Sequence, residues 1–126
     1  DRTYVISLES RSDRRVGIAQ SLKRLGAHRV EFFDAVNGKN VSMQEPERWR
    51  DRMMTDEVDV LRPAAGAIGC YLSHYEVYKA ARRAGLRSFL VLEDDAIFRP
   101  SAGKRFRQAI TQLPDDWDAL YLGYNR

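Results

Sequence analysis

Ser88-Phe89-Leu90-Val91-Leu92-Glu93-Asp94-Asp95 runs from four consecutive apolar residues straight into three carboxylates. A run that is apolar at every position, not at every second one, predicts a parallel strand covered by helices on both faces. Its central place in the sheet follows from that double cover. Open α/β sheets place their ligand crevice just outside the carboxyl ends of such strands. The residues that decide the fold therefore also mark the first candidate site.

Outward from this strand, helix and strand alternate. Ile68, Tyr71, Leu72, Tyr75 and Tyr78 recur at i, i+3, i+4, i+7 and i+10, an apolar and aromatic stripe that predicts a helix from Gly66 to near Gly85. On the other side, Phe106, Ala109, Ile110 and Leu113 give helical spacing up to Pro114, which stops the helix. Ala119-Leu120-Tyr121-Leu122 then predicts a last strand before Gly123.

At the amino end, Tyr4-Val5-Ile6-Ser7-Leu8 predicts a buried strand, followed by a polar stretch, Glu9 to Asp13. Ser12 or Asp13 is placed to cap a helix carrying Ile18, Leu22 and Leu25, and Gly26 to end it. Val30, Phe32 and Phe33 lead into a turn, Asp34-Ala35-Val36-Asn37-Gly38. From Lys39 to Pro63 the period is lost around Trp49, Met53 and Met54, which predicts a long excursion with a helical turn or two. The alternation argues for βα units with right-handed crossovers, and so for an α/β, mainly parallel, Rossmann-like sheet.

Composition narrows the classes. The chain has 126 residues, 44% hydrophobic and 31% charged, which suits one globular domain and excludes a collagen-like or disordered segment. No apolar run approaches the roughly 20 residues that cross a bilayer, and the start Asp1-Arg2-Thr3 has no signal-peptide character. A single cysteine, Cys70, builds neither an internal disulfide nor, alone, a structural zinc site, and reads as a small buried residue. A reducing compartment is the simpler assumption. Lysine and arginine number 21 against 18 acids, a mild excess without interleaved aromatics, so nucleic acid is not the expected partner.

Three groups of residues offer chemistry. Glu93, Asp94 and Asp95 sit at the end of the strand, and a continued extended chain would point Glu93 and Asp95 to one side and Asp94 to the other. Neighbouring carboxylates repel unless a cation or several donors offset them. A hard ion such as Mg²⁺ or Mn²⁺ suits oxygen ligands and keeps positions for phosphates. The bland alternative is pairing with Arg99 and Lys104. Ser7, Arg11, Asp13 and Arg14 follow the first strand, at the same sheet edge if the strands are parallel, and arginine forks onto phosphate. Ser73 and His74 lie on the long helix. A Ser-His hydrolase is disfavoured, because adjacent helical side chains diverge by about 100°, and no glycine-rich phosphate fingerprint is complete.

Taken in order, Tyr4 to Leu8 with Arg11, Asp13 and Arg14, then Phe33-Asp34-Ala35-Val36-Asn37-Gly38, Gly66-Ala67-Ile68-Gly69-Cys70-Tyr71-Leu72-Ser73-His74, Val91-Leu92-Glu93-Asp94-Asp95, and Trp117-Asp118 with Tyr121-Leu122-Gly123, the sequence resembles glycosyltransferase family 25. That family includes lipooligosaccharide and collagen galactosyltransferases. The resemblance implies a GT-A-type fold and transfer of a hexose, commonly galactose, from a UDP-sugar to a hydroxyl of a glycan acceptor with inversion. It implies that Glu93-Asp94-Asp95 stands for the family's metal motif, with Glu93 and Asp95 on Mn²⁺ or Mg²⁺ and Asp94 on the donor. Ser7, Arg11, Arg14, Ala35, Val36, Asn37, Gly38, Gly69, Ser73 and His74 would line the nucleotide pocket. No residue is singled out as the base that takes the acceptor's proton.

The resemblance also implies a bacterial cytoplasmic setting, with peripheral association at the inner face of the inner membrane. Family members continue through an acceptor-binding half, so residues 1–126 are expected to be the donor-binding part of a longer domain. The rival is a sugar-nucleotide-binding or interaction module without transfer activity. Receiver and haloacid dehalogenase domains place key acids after their first strand, where this chain has Ser7-Leu8-Glu9.

Overall fold

A buried strand must pair its backbone on both sides, and among the described residues one strand does so. In the computed structural model, which describes residues 2–41 and 65–123, β1 (Arg2–Ser7) lies between β2 (Val30–Asp34) and β3 (Phe89–Glu93). All pairings are parallel, Thr3 to Ser7 against Val30 to Asp34 and Arg2 to Ile6 against Phe89 to Glu93. The Rossmann-like parallel sheet expected from the alternation is present. Its central strand is β1, not β3: Thr3 to Ser7 are all buried, whereas Phe89 to Leu92 are only half-buried.

Side chains of a strand alternate between faces. Tyr4 and Ile6 of β1 therefore pack with Val77 and Ala81 of helix α2 (Ala65–Arg83), joined by Phe33, Phe89 and Val91. Val5 packs on the other face with Ile18 and Leu22 of α1 (Ser12–Arg24), joined by Val30, Phe32 and Leu92. The result is one sheet with a helix layer on each face. Full burial of side chains such as Val5, Ile6, Ile18, Leu22 and Val77 contributes about 1.5–3 kcal/mol each, and the two small cores share β1.

Several local expectations shift. The buried line of α2 is Ile68, Gly69, Ser73, Val77 and Ala81, not the tyrosine stripe; Tyr75 and Tyr78 are exposed. Small residues allow the helix axis to approach the sheet, and the tyrosines occupy its rim, where Tyr78 meets Phe89 edge-on and Tyr71 stacks on Tyr75. Cys70, expected to be buried, is exposed because it lies about 100° round the helix from Gly69, off the buried line. Helix α3 (Ala102–Ile110) ends before Pro114, its last turn closing from the Leu113 amide onto the Ile110 carbonyl. Ala119 to Leu122 form no strand: Tyr121 is 91% exposed and the segment carries no ladder to β3. The glycines do end the helices as expected, with φ of +73° at Gly26 and +62° at Gly85. Of the excursion expected from Lys39 to Pro63, residues 42–63 lie outside the described residues.

Neither Ser12 nor Asp13 caps α1. Arg11 occupies the cap position without a side-chain bond to the helix backbone, and Asp13 falls in the first turn, where a negative charge complements the helix dipole. Arg11 grips it in a fork, Nε to Oδ1 and Nη2 to Oδ2, each 3.0 Å.

Backbone contact fixes the turn after β2. Asn37 caps a short 3₁₀ turn, Gly38–Asn40, by accepting from the Lys39 amide. A Cβ on Gly69 would stand 2.5 Å from the Val36 carbonyl oxygen and 2.8 Å from the Gly38 nitrogen, and one on Gly38 would overlap the Ala65 carbonyl. Only two glycines let this turn meet α2.

Two measurements check these points. Gly69→Ala should lower stability in urea unfolding by about 1–3 kcal/mol, while Gly17→Ala in exposed α1, with nothing within 4 Å, should raise it by about 0.5–1 kcal/mol. The Arg11 fork holds the Asp13 carboxyl down from 3.8 to about 2. A depressed carboxylate favours the folded form above its ordinary range, and that contribution disappears as pH falls through about 2. NMR titration should find the low value, and Arg11→Ala should return it toward 3.8.

Candidate functional site

The carboxyl ends of β1, β2 and β3 form one edge, and the alternation that builds the core sorts the polar residues there. Ser7 has the parity of Val5 and so faces α1; Glu93, paired in register with Ile6, faces α2. Asp94, one residue on, falls on the α1 side. Its Oδ2 accepts from Ser7 Oγ at 2.8 Å and its Oδ1 from Arg14 Nη1 at 2.9 Å. With only 11% of its side chain exposed, Asp94 is an anion held nearly dry. Two charge-assisted bonds offset its lost hydration, each worth roughly 1.5–3 kcal/mol.

Asp95 does not keep the strand's alternation. The chain turns after Glu93, with the Ala96 amide bonded to the Glu93 carbonyl at 3.2 Å, and Asp95 Oδ2 lies 3.5 Å from the same Arg14 Nη1. Glu93 and Asp95 therefore do not face one point, as the extended chain would have required. Asp94 and Asp95 share a side, around Arg14, and Arg99 and Lys104 are not their partners. Asp95 is 63% exposed. Arg11, engaged with Asp13, stands beside this group on the first turn of α1.

On the α2 side, Glu93 Oε1 is 3.3 Å from His74 Nε2 and 3.7 Å from Cys70 Sγ. Partial desolvation at the helix surface and the Glu93 charge together push the Cys70 thiol up from its ordinary value, desolvation being the larger cause. Cys70 was not among the expected site residues. The signal available in the sequence was its i, i+4 spacing from His74, which sets both on one helix face.

Gly69 and Ser73 serve the turn between β2 and α2. Ser73 Oγ donates to the Gly69 carbonyl at 2.6 Å and accepts from the Val36 amide at 2.9 Å. Ala35 is tied to β1 through its amide on the Ser7 carbonyl, 3.0 Å. Ala35, Val36, Asn37 and Gly38 are thus presented at the same edge as Ser7. Arg15 adds a tie that the sequence reading did not assign: its Nη2 reaches both the Ser7 carbonyl and Asp34, and its guanidinium lies over Phe32. Among the described residues its Nε has no hydrogen-bond partner although it is buried. A shallow cleft of about 470 Å³ bounded by Leu22, Lys23, His28 and Arg29 lies at the opposite, amino end of the sheet.

Among the described residues no helix is long and apolar enough to cross a membrane. The sequence model of Glycosyltransferase family 25 (LPS biosynthesis protein) matches residues 1–124. A glycosyltransferase 25 family member of Anopheles gambiae is 34% identical over 128 residues, covering 98% of this chain and 22% of that protein. Procollagen galactosyltransferase 1-A of Xenopus laevis is 32% identical over 132 residues, and procollagen galactosyltransferase 2 of Mus musculus 30% over 132, each covering 100% of this chain and 21% of its own length. The chain thus spans about a fifth of the length of these relatives. With both the motif order and the sheet edge they occupy accounted for, the chain belongs to glycosyltransferase family 25.

Proposed function

We propose that the carboxyl edge of this sheet binds the diphosphate of a UDP-sugar, and that the protein transfers a hexose, galactose, from it to an acceptor hydroxyl. The observation that carries the reading is the Ser7, Asp94 and Arg14 cluster, which joins β1, β3 and α1 at one point through bonds of 2.8 and 2.9 Å. Two arginines at the start of a helix suit a diphosphate: their planar forks match phosphate oxygens, and the helix N-terminus favours negative charge. Galactose as the sugar follows the names of the procollagen galactosyltransferases. A glycan acceptor of the lipopolysaccharide kind is supported by the family description, LPS biosynthesis protein.

In an inverting transfer the acceptor oxygen bonds to the sugar's anomeric carbon as the bond to UDP breaks. The acceptor's proton passes to a carboxylate base. Arg14 is the residue that answers the charge left on the departing diphosphate. It is 39% exposed, so its guanidinium has room to exchange a carboxylate for a phosphate.

The donor chemistry on the α1 side fits a hard divalent ion. Asp94 and Asp95 offer carboxylate oxygens that already attract one cation, Arg14. With Glu93 turned toward α2, these two would hold Mn²⁺ or Mg²⁺ there. When bound, such an ion supplies neutralisation of the diphosphate's charge.

Calorimetry with Mn²⁺ and UDP-galactose tests the reading. The protein should bind UDP-galactose and release free UDP slowly; Arg14→Ala and Asp95→Ala should each weaken binding about 10-fold or more, equal to about 1.4 kcal/mol. Absence of binding to any UDP-sugar in the presence of metal would end the proposal. Binding with no sugar transfer or hydrolysis would replace it with a non-catalytic sugar-nucleotide-binding module.

A further inference from the structure

Cys70, His74 and Glu93 bring three donor types to one spot: a sulfur, an imidazole nitrogen and a carboxylate oxygen. Two come from consecutive turns of α2 and the third from the end of β3. Their ligand atoms all lie within 4.8 Å of one another. Two of the three separations are 3.3 Å, His74 Nε2 to Glu93 Oε1, and 3.7 Å, Cys70 Sγ to Glu93 Oε1. Around a tetrahedral zinc with ordinary bond lengths, neighbouring ligand atoms stand about 3.3–3.6 Å apart. Two of the three separations are therefore near the spacing that one ion requires before any ion is bound, and the third lies within 4.8 Å.

We infer that Cys70, His74 and Glu93 form a binding site for a single borderline transition-metal ion of the zinc class. The chemistry of the set decides the class. A thiolate with an imidazole selects zinc, cobalt or similar ions, and discriminates against the magnesium and manganese that carboxylates alone prefer. Three protein ligands leave a fourth position, and the exposure of Cys70 and Glu93 opens that position to solvent. On binding, the thiol gives its proton to solvent, the imidazole stays neutral and the carboxylate stays ionised.

This site is separate from the oxygen cluster of Asp94 and Asp95, which lies across the strand on the α1 side. It does not depend on nucleotide binding, so the two proposals fail independently.

Cobalt titration of the purified protein is the test. One equivalent of Co²⁺ should bind with the near-ultraviolet absorption of a thiolate-to-cobalt bond, and Zn²⁺ should displace it stoichiometrically. Cys70→Ser should abolish that band. Cys70→Ser and His74→Ala should each weaken Zn²⁺ binding by at least about 100-fold, whereas Asp95→Ala should keep both the band and the affinity. In the unaltered protein, Zn²⁺ should also protect Cys70 from alkylation, a readout that needs no variant to fold. A cobalt spectrum without the thiolate band overturns the inference. So does unchanged alkylation under saturating Zn²⁺, or metal binding lost in Asp95→Ala and retained in Cys70→Ser and His74→Ala.

Discussion

The alternation of side chains along two parallel strands governs what this protein can do at its sheet edge. β1 and β3 run in register, so Ile6 and Glu93 share one face and Ser7 and Asp94 reach the other. Two adjacent acids are thereby sent to opposite helix layers. Glu93 meets His74 and Cys70 of α2, while Asp94 meets a cation and a hydroxyl anchored by α1 and β1. A shift of one residue in the register would exchange these environments and place the apolar side chains of β3 in the wrong core. Core packing therefore fixes the chemistry.

The second constraint is backbone approach. The turn after β2 reaches the site edge because Gly69 and Gly38 allow main chain to lie against main chain, and Ser73 satisfies the Val36 amide that this approach would otherwise strand. An unpaired buried amide costs roughly 1–3 kcal/mol, comparable with the benefit of burying a whole side chain. Gly69 and Ser73 therefore act on the site by positioning the 35–38 turn. Direct contact with a ligand is not needed to explain their presence at these positions.

Much of this was legible from residue pattern alone, since period and punctuation are local. The strands at Tyr4 and Phe89, the helix from Ser12, the glycine terminations and the shared edge of Ser7, Arg14 and the acidic triplet all follow from spacing. What escaped the reading depends on partners distant in sequence. Apolarity placed β3 at the centre, but centrality is a matter of pairing, and Ala119 to Leu122 supply no fourth strand beside it. The tyrosines of α2 counted as core because they are large and periodic; the interface instead selects Gly69, Ser73 and Ala81 because the helix lies close. Asp95 escaped because a turn, not the strand's period, sets its direction.

Arg14 adds a final point about charge. It lies within bonding distance of two carboxylates at once, so the α1 side is already compensated by the chain's own cation. Any divalent ion there competes with a guanidinium, and a diphosphate offers that guanidinium a new partner of the same planar geometry. On the proposed reading the charge balance would close when ion and diphosphate arrive together. On the α2 side Glu93 meets, among the described residues, His74 and Cys70, a nitrogen and a sulfur donor in place of a guanidinium. The proposed hard-ion and phosphate chemistry would draw on the first environment and the proposed softer ligation on the second, although a single peptide bond separates Glu93 from Asp94.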